Sequence, residues 1–217
     1  MLLNEEREKL VEYGVRLIES NLTKGTAGNL SIFNRKEELI AITPSGVAYD
    51  KIKLQDIVII DSDGRVIEGN RTPSSEHQLH RIFYENRDDI SAMVHTHSRF
   101  ATTLACLNWN LPPVHYMIAV AGIDVRCAKY ATFGTKELAL NAYEAMIDRK
   151  AVLLANHGLL TGDITIEKAF NIAEEIEFCS ELYYRSKALG NPILLGNEEM
   201  VKMIDKFQNY GQFKKGI

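Results

Sequence analysis

Apolar residues at helical spacing open the chain. Leu10, Val11, Leu17 and Ile18 share one face of a helix predicted over about residues 5–21. Asn4 is the expected N-cap, with Glu5 and Glu6 at the positive end of the helix dipole. A Gly-rich loop, T-K-G-T-A-G-N, follows, then four short strand-like runs at 30–33, 39–42, 57–60 and 65–68, the last two joined by the hairpin signal D-S-D-G. T-P-S-S-E opens a second helix that carries Leu79, Ile82 and Phe83. S-A-M-V-H-T-H reads as a strand, after which Ser98 caps a short helix through Cys106. A loop, W-N-L-P-P, leads to V-H-Y-M-I and a strand over 123–128. A helix follows over about 135–147, and A-V-L-L-A-N-H-G is a buried strand ending in a turn. The longest helix runs from about Thr165 to Gly190, with Ala169, Ile172, Ala173, Ile176, Cys179 and Tyr183 at helical spacing and Gly190-Asn191-Pro192 as its stop. A last helix from Asn197 carries Met200, Val201, Ile204 and Phe207 and ends by Gly211. Strands and helices alternate without regular βαβ units. The expected architecture is α/β: a single domain over 1–217, with a mixed central sheet covered by helices on both faces.

Composition narrows the function classes. The 217 residues are 46% hydrophobic and 25% charged, ordinary for a soluble globular protein, and enough to bury a core without disulfides or a structural metal. The net charge of −4 and the absence of a basic stretch argue against nucleic acid as a partner. Three scattered cysteines, Cys106, Cys127 and Cys179, fit reduced thiols in a cytoplasmic protein. The acidic N-terminus lacks an apolar signal-peptide core, and no apolar run is long enough to span a membrane.

Six histidines supply the candidate chemistry: His77, His80, His95, His97, His115 and His157. Residues i and i+2 of a strand point to one face, so His95 and His97 can meet one metal ion. An H-x-H arises by chance in roughly one in six chains of this histidine content, so the pair alone is a weak signal. His157 strengthens it, because it leaves a second core strand, and three imidazoles are the ligand count of a catalytic zinc with an open position. Strand-end histidines that merely hydrogen-bond would look the same. His77 and His80, three apart on a helix, read as a solvated face, and spacing gives His115 no role.

Three segments join small residues to hydroxyls: Gly25–Asn29 (G-T-A-G-N), 43–46 (T-P-S-G) and 73–76 (P-S-S-E). Each is a turn or cap in its own right. Each can also present backbone N–H groups to an anion, most directly at Ser74 and Ser75 beside a helix start. Glu76 follows those serines. Its spacing alone favours helix-dipole complementarity at a first turn over a general base beside a metal.

The ordered set G-T-A-G-N-L-S, I-T-P-S-G, P-S-S-E, V-H-T-H, H-Y-M-I-A, Y-A-T-F-G-T and N-H-G-L, running from residue 25 to residue 160, resembles the class II aldolase/epimerase family. The resemblance implies zinc-dependent retro-aldol cleavage of a ketose 1-phosphate, with L-fuculose 1-phosphate, giving dihydroxyacetone phosphate and L-lactaldehyde, as the leading substrate. It implies one Zn²⁺ per subunit on His95, His97 and His157, with Glu76 as a further ligand and the acid/base. Gly28, Asn29, Ser45, Gly46, Ser74 and Ser75 would hold the phosphate, and Tyr116 would be the proton donor on the aldehyde side. Tyr210 would assist from a mobile tail that starts near residue 205. The family's cyclic homotetramers, with sites at subunit interfaces, set the expected assembly. Two departures leave the aldehyde pocket open: Thr96 stands between the paired histidines where an asparagine is expected, and A-V-A-G-I-D is less glycine-rich than expected. Rival readings on the same scaffold are an L-ribulose-5-phosphate 4-epimerase, which usually has aspartate at the position of Glu76, a methylthioribulose-phosphate dehydratase, and a non-catalytic module like the adducin head.

Overall fold

The computed structural model describes residues 1–208. An eight-stranded sheet is its frame. The strands are β1 (Asn29–Asn34), β2 (Leu39–Ile42), β3 (Val58–Ile60), β4 (Val66–Glu68), β5 (Ala92–Thr96), β6 (Arg126–Ala128), β7 (Ala151–Leu154) and β8 (Gly158–Asp163), in the spatial order β4-β3-β2-β1-β5-β8-β7-β6. Only the β6–β7 pair is parallel. The helices are α1 (Asn4–Glu19), α2 (His77–Asn86), α3 (Arg99–Cys106), α4 (Lys136–Ala145), α5 (Ile166–Leu189) and α6 (Asn197–Gln208). The first residues of the expected tail, 205–208, therefore belong to a helix, while Tyr210 lies outside the described residues.

Alternation along the strands divides the core in two. One apolar cluster joins Leu30, Ile59, Ala92, Val94 and Leu153 to α1, α3 and α5; the other joins Ile40, Ile42, Met93, Val152 and Leu160 to α2 and α4. Helices thus cover both faces, as the sequence pattern implies. No described helix is long and apolar enough to cross a membrane.

Several local expectations are corrected. Leu3, in a left-handed conformation, precedes α1, and Asn4 is its first residue, with its amide on Glu8 rather than on a backbone N–H. The buried face of α1 is Arg7, Leu10, Tyr13, Gly14 and Leu17, while Ile18 is exposed. Ser98 occupies the cap position of α3 without a capping hydrogen bond. Glu177 of α5 accepts instead from the N–H groups of Phe100 and Ala101, at 2.9 Å each, a long-range cap that also pins α3 to α5. V-H-Y-M-I, which the sequence pattern left without an element, leads into a 3-10 turn at Tyr116–Val120. The strand expected over 123–128 is paired only at Arg126–Ala128 and through a bridge from Val125 to Leu111. β8 was not expected; it forms a hairpin with β7 and pairs with β5 across its whole length.

Two glycines let the neighbouring chains close in on the end of β5. A Cβ on Gly28 (φ +77°) would lie 2.5 Å from the carbonyl oxygen of His95, and one on Gly158 would lie 2.3 Å from that of Thr96. Gly158→Ala is therefore expected to cost about 1–3 kcal/mol by overpacking. A urea-denaturation midpoint equal to wild type would contradict this close approach.

Candidate metal and anion site

The β1–β5–β8 register places Asn29 opposite His95 and His95 opposite Leu160. His95 and His97 leave the end of β5 on the same face, and His157 stands in the turn between β7 and β8. The three rings converge. His95 Nε2 lies 3.2 Å from His157 Nε2 and 3.1 Å from His97 Nε2. Two nitrogens on a tetrahedral zinc, each about 2.05 Å from it, would be about 3.3 Å apart.

Tautomer arithmetic separates a cation site from a histidine hydrogen-bond cluster. His95 Nδ1 is 2.9 Å from the Leu159 carbonyl, which can only accept, so the proton sits on Nδ1 and Nε2 carries a bare lone pair. One in-plane lone pair can accept from His97 or from His157, not well from both. A cation at the meeting point satisfies all three rings. Burial, reinforced by His97, holds His95 neutral by pushing its pKa down to about 3, and burial with the nearby His95 takes His157 to about 4. Neutral imidazole is the ligating form.

Glu76 completes the group. It is buried at the N-terminus of α2, with Oε2 3.4 Å from His95 Nε2 and Oε1 3.5 Å from His157 Nε2. Asn29 Nδ2 donates to Oε2 at 3.0 Å, whereas Oε1 has no hydrogen-bond donor among the described residues. A buried carboxylate oxygen without a donor is costly unless a cation or substrate faces it. The ligand set therefore fits a divalent metal.

All three anion-holding segments reach the same place. A cleft of about 300 Å³ is lined by Gly28, Asn29, Ser45, Gly46, Ser74, Ser75 and Glu76, with His97 and His157 at its floor. The two T-P-S loops lie side by side: Ser45 N donates to Thr72 O, Ser74 N donates to Thr43 O, and Pro44 bridges Pro73. α2 begins at His77, so Ser74 and Ser75 precede its first turn rather than form it, and Glu76 holds the cap position. Among the described lining residues none is Lys or Arg, so an anion would be met by hydroxyls, N–H groups and the helix dipole. A wider groove of about 1010 Å³, bordered by Arg87, Tyr143, Lys150 and Ile204, contains none of the expected site residues.

Some expectations do not meet here. Tyr116 does not line the cleft of its own chain; it is 47% exposed and stacks on Phe207. His80 is fully buried, not solvated, and His77 is partly so. Conversely, Tyr130, Phe133 and Asn156 line the cleft, although sequence reasoning gave them no role. Their signal was their place inside Y-A-T-F-G-T and N-H-G-L.

The model of the Class II Aldolase and Adducin N-terminal domain matches residues 8–184. The chain belongs to that family. Its members include both enzymes and adducin heads, and the relatives separate the two. A 5-deoxy-D-ribulose 1-phosphate aldolase of Bacillus thuringiensis serovar kurstaki is 58% identical over 98% of this chain and 100% of its own. The L-fuculose phosphate aldolase of Escherichia coli K12 is 39% identical over 96% of each chain. A solved structure described as L-fuculose 1-phosphate aldolase superposes with a TM-score of 0.94 at 54% identity, covering 96% of this chain and 98% of that one. This class II aldolase is an enzyme.

Removing one imidazole should abolish ion binding without unfolding the domain, because the two apolar clusters hold the sheet together without it. His97→Ala is expected to take up no stoichiometric divalent metal at neutral pH while keeping cooperative unfolding. Full metal content in the variant would contradict the site. The metal-free protein should also be acid-sensitive. His80 and His95, both near 3, and His157, near 4, stay neutral in the fold while the unfolded chain protonates from about 6.5 downward. Their contribution to stability is complete above about 6.5 and shrinks as pH falls toward 3–4. A melting temperature, measured with chelator, that stays flat between about pH 7 and pH 5 would refute this.

Proposed function

We propose that this class II aldolase cleaves a terminally deoxygenated ketose 1-phosphate between C3 and C4, with Zn²⁺ held by His95, His97 and His157. The observation that carries the reading is the convergence of three neutral imidazoles and a partly unsatisfied carboxylate at the floor of a cleft suited to phosphate. The preferred substrate is 5-deoxy-D-ribulose 1-phosphate, supported by the 58% identical relative of that name. L-fuculose 1-phosphate is the second reading, supported by the 54% identical solved structure. Both share the three-carbon phosphate end that becomes dihydroxyacetone phosphate. They differ only in the leaving aldehyde, acetaldehyde in one case and L-lactaldehyde in the other.

Bound Zn²⁺ supplies Lewis-acid stabilisation of the negative charge that develops on the ketose half. The protein does the rest. Gly28, Asn29, Ser45, Gly46, Ser74 and Ser75 grip the phosphate remotely and fix the reacting carbons near Glu76. Glu76 carries the proton to and from the ketose carbon, with Asn29 holding its other oxygen. Tyr116 serves the oxygen of the aldehyde half. Because it stands outside its own cleft and is half exposed, it would act in the cleft of a neighbouring copy, as in a homotetramer with interfacial sites. Tyr210 is assigned to the same side of the reaction.

Three substrates assayed side by side test the proposal: 5-deoxy-D-ribulose 1-phosphate, L-fuculose 1-phosphate and L-ribulose 5-phosphate. Dihydroxyacetone phosphate should be released from the first two, with the higher kcat/KM on the first. Conversion of the third without release of free fragments, and no turnover of the others, would make the protein an epimerase. Glu76→Gln is expected to lower kcat by at least ~10²-fold, the usual scale for a general acid/base, and near-normal turnover would remove it from the mechanism.

A further inference from the structure

Behind Glu76 runs a buried polar column that the proposed chemistry does not use. Glu76, at the cap position of α2, and His80 and Tyr84, within the helix, follow one another at i, i+4 and i+8. Asn29, Ser31 and Phe33 follow at i, i+2 and i+4 along one face of β1. The two series meet rung by rung. Asn29 Nδ2 donates to Glu76 at 3.0 Å, Ser31 Oγ lies 2.6 Å from His80 Nδ1 and 2.5 Å from Tyr84 Oη, and Phe33 stacks on Tyr84 at 5.2 Å.

The protons of this column can be placed. Tyr84 Oη also lies 3.1 Å from the Ser31 carbonyl, which can only accept. The arrangement that uses every proton runs one way: His80 Nδ1–H donates to Ser31 Oγ, Ser31 Oγ–H donates to Tyr84 Oη, and Tyr84 donates to the Ser31 carbonyl. It leaves His80 Nε2, which has no partner among the described residues, as a bare lone pair. The opposite direction would bury an N–H with no acceptor, a costlier outcome.

Such a column is not the cheapest way to hold a helix on a sheet. His80 is completely buried on the side of α2 that packs with Leu79, Phe83, Tyr84 and Met93, all of one apolar cluster. An apolar side chain of similar volume there would be neutral or stabilising, because it removes a desolvated imidazole with one unsatisfied nitrogen. What the polar chain adds is direction. It allows one rotation and one axial position of α2 on β1, and these set where the carboxylate at the N-terminus of α2 stands relative to the histidine nitrogens.

We propose that His80 is a positioning residue for Glu76, acting with Ser31 and Tyr84 to hold the start of α2 in register with β1. The assignment rests on the proposed function. Its prediction is a separation of stability from catalysis. His80→Leu should fold with a melting temperature at or above wild type. Its kcat should fall ~10- to 100-fold and its Zn²⁺ affinity, read by chelator competition on the apo protein, by at least ~10-fold, the scale for groups that orient metal ligands. KM should change less than about threefold, since neither His80 nor Ser31 lines the cleft assigned to the phosphate. His80→Asn, whose amide can replace Nδ1–H toward Ser31, should restore most of kcat. Ser31→Ala, a smaller truncation, should repeat the loss, and it provides the measurement if His80→Leu does not fold.

Wild-type kcat and Zn²⁺ affinity in Ser31→Ala and in a folded His80→Leu, or equal damage in His80→Leu and His80→Asn, would overturn this assignment alone. A wild-type chain that takes up no Zn²⁺ would overturn the proposed function and this assignment with it.

Discussion

The site exists because three strands share one hydrogen-bond register. Asn29, His95 and Leu160 lie abreast on β1, β5 and β8, and the tight β7–β8 turn returns His157 to the level of His95. Sliding β5 by one residue would turn His95 to the opposite face and exchange it with Val94. Both apolar clusters oppose that slip, because Ala92 and Val94 belong to one and Met93 to the other. The hydrophobic pattern that folds the sheet therefore also aims the ligands. Gly28 and Gly158, on the two flanks of β5, allow the approach to be close enough for nitrogens from two strand ends to meet.

Electrostatics then follow from burial. Imidazoles removed from water stay neutral, and a cluster of neutral donors leaves a bound cation's charge largely uncompensated. Glu76 is the single carboxylate in contact with the group among the described residues. The cleft above has no lysine or arginine in its described lining, so under the proposed function the positive potential at a phosphate would come from the start of α2 and from the metal that His95, His97 and His157 would hold. An arrangement with cationic side chains at the phosphate would bind the ground state more tightly. As proposed, this one would concentrate charge at the reacting carbons rather than at the phosphate, an arrangement that favours turnover over retention.

Much of this was legible in the chain. The alternation of β5 exposed the H-x-H pair as a same-face pair, the apolar run before His157 marked a strand end, and small-residue loops marked the walls of the cleft. What escaped had physical reasons. β8 (G-L-L-T-G-D) begins and nearly ends in glycine and follows a turn, so it reads locally as a continuation of that turn; only its pairing with β5 and β7 makes it a strand. Ser98 carried the expected cap chemistry, yet the cap is supplied by Glu177, 77 residues away from Phe100. His80 looked like a solvated helix face because nothing local to α2 announces Ser31 of β1 as its neighbour, although Tyr84, one turn on, shares its side of the helix. Tyr116 carries a role implied by resemblance, but one chain does not bring it to the cleft.

These misses share a cause that bears on how the site works. Local sequence specifies the ligands, and long-range contacts specify their precision. Three imidazoles on two rigid strand ends need little further support to find a cation. A carboxylate at the cap position of a helix is different, since the Glu76 side chain makes no cap hydrogen bond that would fix it. Ser74 Oγ accepts from the Glu76 N–H at 3.2 Å, which holds the backbone there but not the carboxylate, whose proposed task is exacting. The buried contacts from Asn29, Ser31 and Phe33 to that helix supply the missing constraint. A fold that left Glu76 on an unsupported helix end would still bind a metal, but it would hold its acid/base group in several positions, and catalysis depends on one.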